Sequence, residues 1–212
     1  MTATFDPDCR RCPRLSEFLD DVQARHPAYH CRPVAPFGDA QANLLIVGLA
    51  PGMHGANATG RPFTGDYAGV LLYETLHQYG FSTAPVSASA DDGLELRRCR
   101  ITNAVKCLPP DNKPVGAEIN TCNEFLREEL KTLPKNAVVL ALGGIAHRAV
   151  LRARGERQAS FKFGHMAEHE LDGLTLLDSY HCSRYNTNTG RLTAEMFGAV
   201  FARARDLLDS RV

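Results

Sequence analysis

Residues 43–66 read NLLIVGLAPGMHGANATGRPFTGD, and this stretch decides the fold. Its first part, Asn43 to Gly48, is apolar on both faces, as a parallel strand covered from both sides must be. Its second part, Gly48 to Asp66, is too long and too rich in glycine for a simple connection, which marks a functional loop. A helix is expected from about Tyr67 to Tyr79, stopped by Gly80. The same strand–loop–helix order recurs downstream. Cys99 to Val105 reads as a strand, and the Pro-rich loop Leu108 to Pro114 opens a long helix ending near Pro134. Ala137 to Leu142 reads as a strand that turns at Gly143-Gly144 into a helix reaching about Arg152. Leu174 to Tyr180 reads as a strand that delivers His181. A helix from Leu15 to about Arg25 precedes all of these. A last helix, capped by Thr193, buries Met196, Phe197, Val200, Phe201 and Leu208. The expectation is a three-layer αβα sandwich around a central, mostly parallel four-stranded sheet. Such sheets place their sites at the C-terminal strand ends. The loops there are Gly48–Asp66, Val105–Pro114, Gly143-Gly144 and His181–Gly190.

The chain has 212 residues, which suits one domain over residues 1–212. Apolar residues make up 44% and charged residues 23%, a globular balance. Lys and Arg number 24, as do Asp and Glu, so the net charge is zero. A polybasic binder is excluded, but a local basic patch is not. Apolar runs are too short to span a bilayer, and MTATFDPDCRRC has no apolar targeting core. A cytoplasmic monomer with no membrane partner is expected.

Seven cysteines without an export signal do not make a disulfide framework. Cys9 and Cys12 form a two-ligand clip, and Cys107 and Cys122 supply a second pair. Four thiolates suit tetrahedral zinc or an iron–sulfur cluster, and spacing leaves both open. Cys31, Cys99 and Cys182 read as packing residues.

The GLAPG turn at residues 48–52 has no G-K-[ST] and is not G-x-G-x-x-G, so common nucleotide binding is disfavoured. Its glycines let backbone approach a flat ligand closely. Phe63, an aromatic in a loop, reads either as a core plug or as a stacking platform for a base.

Together, CRRC, GLAPGMHGANATGRPFTGD, ITNAVKCLPPDNKP, the later Cys122, LALGGIA, FGH and HCSRYNTNTGRLT resemble the iron–sulfur uracil-DNA glycosylases. The type b branch, family five, is the best match. GLAPG separates it from family four, which carries an acidic residue where Leu49 sits. One departure is Cys182, where the last motif usually has proline. The resemblance implies a structural [4Fe-4S] cluster on Cys9, Cys12, Cys107 and Cys122. It also implies a base flipped out of single- or double-stranded DNA and cut from its sugar: uracil, and other deaminated bases such as hypoxanthine.

On that reading each residue has a task. His181 donates a hydrogen bond to uracil O2 as negative charge develops, which a neutral imidazole can do. Asp66 orients water or stabilises the cationic sugar, or else caps the following helix. Asn112 positions water or is a turn residue. Asn103 reads the O4/N3 edge through an amide that donates and accepts. Gly48, Ala50 and Phe63 line the base. Arg184 or Tyr185 enters the duplex where the base left. Arg148, Arg152, Arg154, Arg157 and Lys162 either meet phosphates or form a solvated helix end. Two rivals stand against this reading. One is a non-catalytic iron–sulfur or zinc nucleic-acid-binding module with a degenerate site. The other is an acyl-transfer hydrolase pairing Cys182 with His181, which adjacent strand residues on opposite faces disfavour.

Overall fold

The computed structural model describes residues 4–210. In chain order, helix α1 spans Pro13–Arg25, strand β1 Phe37–Gly38, β2 Leu44–Gly48, α2 Ala56–Thr59, α3 Tyr67–Gln78 and β3 Cys99–Asn103. Then follow α4 Gly116–Thr132, β4 Ala137–Leu142, α5 Gly144–Arg154, β5 Glu168–Leu171, β6 Leu174–Ser179, α6 Arg184–Asn188 and α7 Ala194–Asp209. The sheet order is β1-β3-β2-β4-β6-β5. β3, β2, β4 and β6 are the four expected strands, and all pair in parallel.

The sheet nevertheless has six strands, not four, because an antiparallel strand closes each edge. β1 is two residues long and follows Pro36, too little for any pattern to register. β5 reads Glu-His-Glu-Leu, a polar sequence that an exposed edge tolerates and that deters further pairing.

Strand alternation divides the core. Leu44, Ile46, Ile101, Leu140 and Leu177 face α3 and α7, where Leu72, Tyr73, Phe197 and Phe201 cover them. Leu45, Val47, Val139, Ala141 and Leu176 face α4 and α5, against Leu126, Leu130, Ala149 and Val150. α1 is tied to α4 by Arg14, whose guanidinium meets Glu118 at 2.7 Å. Glu118 also accepts from the Val115 backbone N–H at 2.8 Å, so one carboxylate both caps α4 and anchors α1. α2 and α6 lie inside stretches expected to be loops; each is a single short turn.

Candidate active site

A cleft of about 690 Å³ opens at the C-terminal ends of the parallel strands. Its lining includes Ala50, Phe63, Asp66, Asn112, His181 and Arg184 from three of the loops named above, Gly143-Gly144 as the fourth, and Asn103 at the end of β3. The reason is topological: every parallel strand releases its chain on the same side of the sheet.

Gly48 ends β2 beneath this cleft. A Cβ there would lie 2.4 Å from Asn103 Oδ1 and 2.7 Å from the Phe63 ring. The missing side chain thus lets an amide and an aromatic ring close over the strand end. Phe63 has φ +54°, a costly conformation for a bulky residue. Its neighbours hold it there. Tyr73 donates to the Pro62 carbonyl at 2.9 Å, and Thr64 shares a 2.7 Å hydrogen bond with Ser87. Arg61, buried, pairs with Asp92 at 2.6 Å.

Asp66 is the N-cap of α3, its Oδ1 accepting from Gly69 N–H at 2.9 Å. Its carboxyl packs on Gly55, where a Cβ would meet Oδ2 at 2.5 Å. Burial raises its pKa above the usual carboxylate range, against the pull of the backbone N–H groups of Gly69 and Ala68. Asp66 is therefore both a cap and a partly desolvated carboxylate lining the cleft.

His181 follows β6, and burial pushes its imidazole down to about 4, so it is neutral at neutral pH. Its backbone carbonyl accepts from Asn186 Nδ2 at 2.8 Å, fixing the loop. Among the described residues, neither His181 Nδ1 nor Asn103 Oδ1, both buried, has a hydrogen-bond partner. Buried polar atoms usually pair with protein, water, an ion or a ligand, and these two lie on residues of the cleft lining.

Asn112 has φ +55° in an exposed turn at the cleft mouth. Arg184 lines the cleft with its guanidinium over the Tyr67 ring at 5.0 Å. Tyr185 is 72% exposed and stands outside the lining, on the rim. Sequence reasoning missed Tyr67: as first residue of an expected helix it carried no signal of facing the cleft. Arg148 reaches back over Gly144, a lining residue, whereas Arg154 is spent on the Asp172 carbonyl. Cys182 is buried, and its thiol donates to the Ala68 carbonyl at 3.4 Å, away from any nucleophilic role.

On the far side of the β3 end, Cys9, Cys12, Cys107 and Cys122 ring one small cavity with Leu15, Val105 and Phe125. All four thiols are free. Burial, followed by the mutual proximity of the sulfurs, pushes Cys107 up to about 12, and burial raises Cys12 and Cys122 as well. Four converging sulfurs in an apolar pocket fit a group that brings its own positive charge.

Residues 35–205 match the family model described as the uracil DNA glycosylase superfamily, and the chain belongs to that superfamily. It is 47% identical over 205 residues to the type-5 uracil-DNA glycosylase of Thermus thermophilus, covering 94% of this chain and 93% of the relative. It is 45% identical over 201 residues to that of Pyrobaculum aerophilum, covering 93% and 88%. Similarity to the type-4 enzyme of Pyrobaculum aerophilum is narrower, 36% over 121 residues, covering 57% of this chain and 54% of the relative. Among the described residues no helix is long and apolar enough to cross a membrane.

Proposed function

We propose that the protein is a DNA-repair glycosylase that hydrolyses the N-glycosidic bond of uracil in DNA. The bond between the base nitrogen and the sugar C1′ breaks, its electron pair leaves with the base, water adds its oxygen to C1′, and the proton that water releases neutralises the base anion. Phe63 stacks on the flipped base and Asn103 reads its polar edge. His181, neutral because it is buried, donates to the departing base as negative charge grows there. Asp66, a carboxylate in the cleft lining, favours a cationic sugar and orients the incoming water, and Asn112 assists at the cleft mouth. Arg184 or Tyr185 fills the gap in the duplex. Gly48, covered by Asn103 and Phe63, sets their position from beneath, and the backbone of Ala50 lies in the base wall, which tolerates other deaminated bases such as hypoxanthine.

Cys9, Cys12, Cys107 and Cys122 would hold a [4Fe-4S] cluster. When bound, it supplies a covalent tie between the N-terminal segment and the sheet, since hydrolysis needs no electron. The working form is a single domain, a monomer acting on single- or double-stranded DNA in the cytoplasm.

The observation that carries this reading is the convergence, in one cleft, of a stacking ring, a buried amide and a neutral imidazole whose Nδ1 lacks a partner among the described residues. A duplex with one uracil, incubated with the protein, should release free uracil and gain an alkali-labile site, while the thymine duplex does neither. Tight binding without release would favour the non-catalytic binding module.

A further inference from the structure

Behind the cleft, three residues before His181, β6 carries Asp178, whose side chain is fully buried. It lies between two imidazoles. His147 of α5 brings Nδ1 to 2.9 Å from Asp178 Oδ1, and His169 of β5 brings Nε2 to 3.2 Å from Oδ2. One ligand atom from each residue lies within 4.8 Å of the others.

The tautomer of His147 makes this cluster more than a hydrogen-bonded pair. Its Nε2 faces the Phe161 carbonyl at 3.1 Å. A carbonyl only accepts, so Nε2 carries the proton. In the neutral ring, Nδ1 is then a bare lone pair facing a carboxylate oxygen. Two acceptors 2.9 Å apart in a buried site need either a proton or a metal cation between them. A histidine holding a carbonyl through one nitrogen while offering the other is also the usual posture of a metal ligand.

We propose that His147 Nδ1, His169 Nε2 and the Asp178 carboxylate form a binding site for a divalent first-row metal ion, zinc foremost. Two imidazoles, which are borderline donors, and one carboxylate oxygen make a ligand set that zinc takes. The contacts at 2.9 and 3.2 Å are close to the roughly 3.4 Å between ligands of a tetrahedral ion with bonds of about 2.0–2.2 Å. Phe161 and Phe163 pack edge-on against His169 and His147 and make an apolar wall. His169, at the sheet edge, is the more exposed of the two histidines and provides the entry path. The ion would fasten β5, β6 and α5 together at the base of the catalytic loops.

The test uses protein with its cysteine site already filled. Zinc ions are added, excess is dialysed away, and zinc and iron are measured per chain. One zinc beyond the iron is expected in the parent, together with a raised melting temperature. His169→Ala and Asp178→Asn should lose both effects. Asp178→Asn also removes a buried charge on which folding depends; His169→Ala, at an edge, keeps the test decisive. Cobalt as a second probe should bind without a thiolate-to-metal absorption band. Equal zinc in parent and His169→Ala overturns the proposal. So does a nitrogen-resolved spectrum in which His147 keeps both ring protons with zinc in excess, because the pair is then a plain imidazolium–carboxylate contact.

Discussion

Phe63 and His181 lie with ring centroids 5.9 Å apart and planes 27° from parallel, although they come from loops at opposite ends of the sequence. That spacing is direct contact between two aromatic rings. No third ring fits between them. Under the proposed function, a base in the cleft therefore lies beside the pair and not between the two rings. Contact with Phe63 is part of the burial that keeps the His181 ring neutral.

The same packing makes Gly48 a sensitive position. Gly48→Ala places a methyl group within 2.4 Å of Asn103 Oδ1 and 2.7 Å of Phe63. Relieving it should cost about 1–3 kcal/mol of stability. Uracil excision, assayed where the variant is fully folded, should fall further than stability accounts for. Unchanged excision would mean that neither side chain needs its observed place.

Asp66→Asn separates cap from chemistry. Asn caps a helix as well as Asp does. Because burial raises the Asp66 pKa, its ionisation in the fold costs stability as pH rises through the carboxylate range. The neutral amide removes that cost, so thermal stability at pH 7 should hold or rise. Excision should drop roughly a hundredfold or more. A stable variant with the parental rate would leave Asp66 as a helix cap alone.

Cys107→Ser should abolish the brown colour and the bound iron and should loosen α1, which protease digestion reads as early cleavage within residues 4–25. Cys107 shares its pocket with Cys9 and Cys12, just before α1, and with Cys122 on α4. Colourless parent protein, purified without oxygen and holding stoichiometric zinc, would contradict the iron–sulfur assignment.

His181 also predicts a pH dependence of stability. Its folded pKa, about 4, lies below the ordinary value of 6.5. Between these values the unfolded chain binds the extra proton, so stability falls as pH drops from 6.5 towards 4 and is flat, for this group, above 6.5. The loss is about 3 kcal/mol. Denaturant titrations of His181→Gln should show that slope flattened. An unchanged slope would place the imidazole in solvent.

The parallel strands were legible because each is a buried apolar run between turn signals, and Leu44–Gly48, Ala137–Leu142 and the Thr193 cap fall within a residue of expectation. The edge strands were not, since Phe37–Gly38 is too short and Glu168–Leu171 too polar to carry a period. His181, Asp66, Asn103 and Phe63 could be placed at strand ends from order alone, and the structure brings them into one cleft. What order cannot give is side-chain reach. Tyr67 under Arg184, Tyr185 out on the rim, and the His147–Asp178–His169 cluster all depend on how helices roll against the sheet.

The central claim is that the cleft works by stabilising the departing base, and single-turnover excision by His181→Ala tests it most directly. The account predicts a roughly hundred- to thousandfold slower release of uracil, the usual loss for one preorganised donor. Affinity for DNA with an abasic site should be unchanged, because no leaving base is present there. Release at the parental rate would contradict the account and move the chemistry to water activation at Asp66.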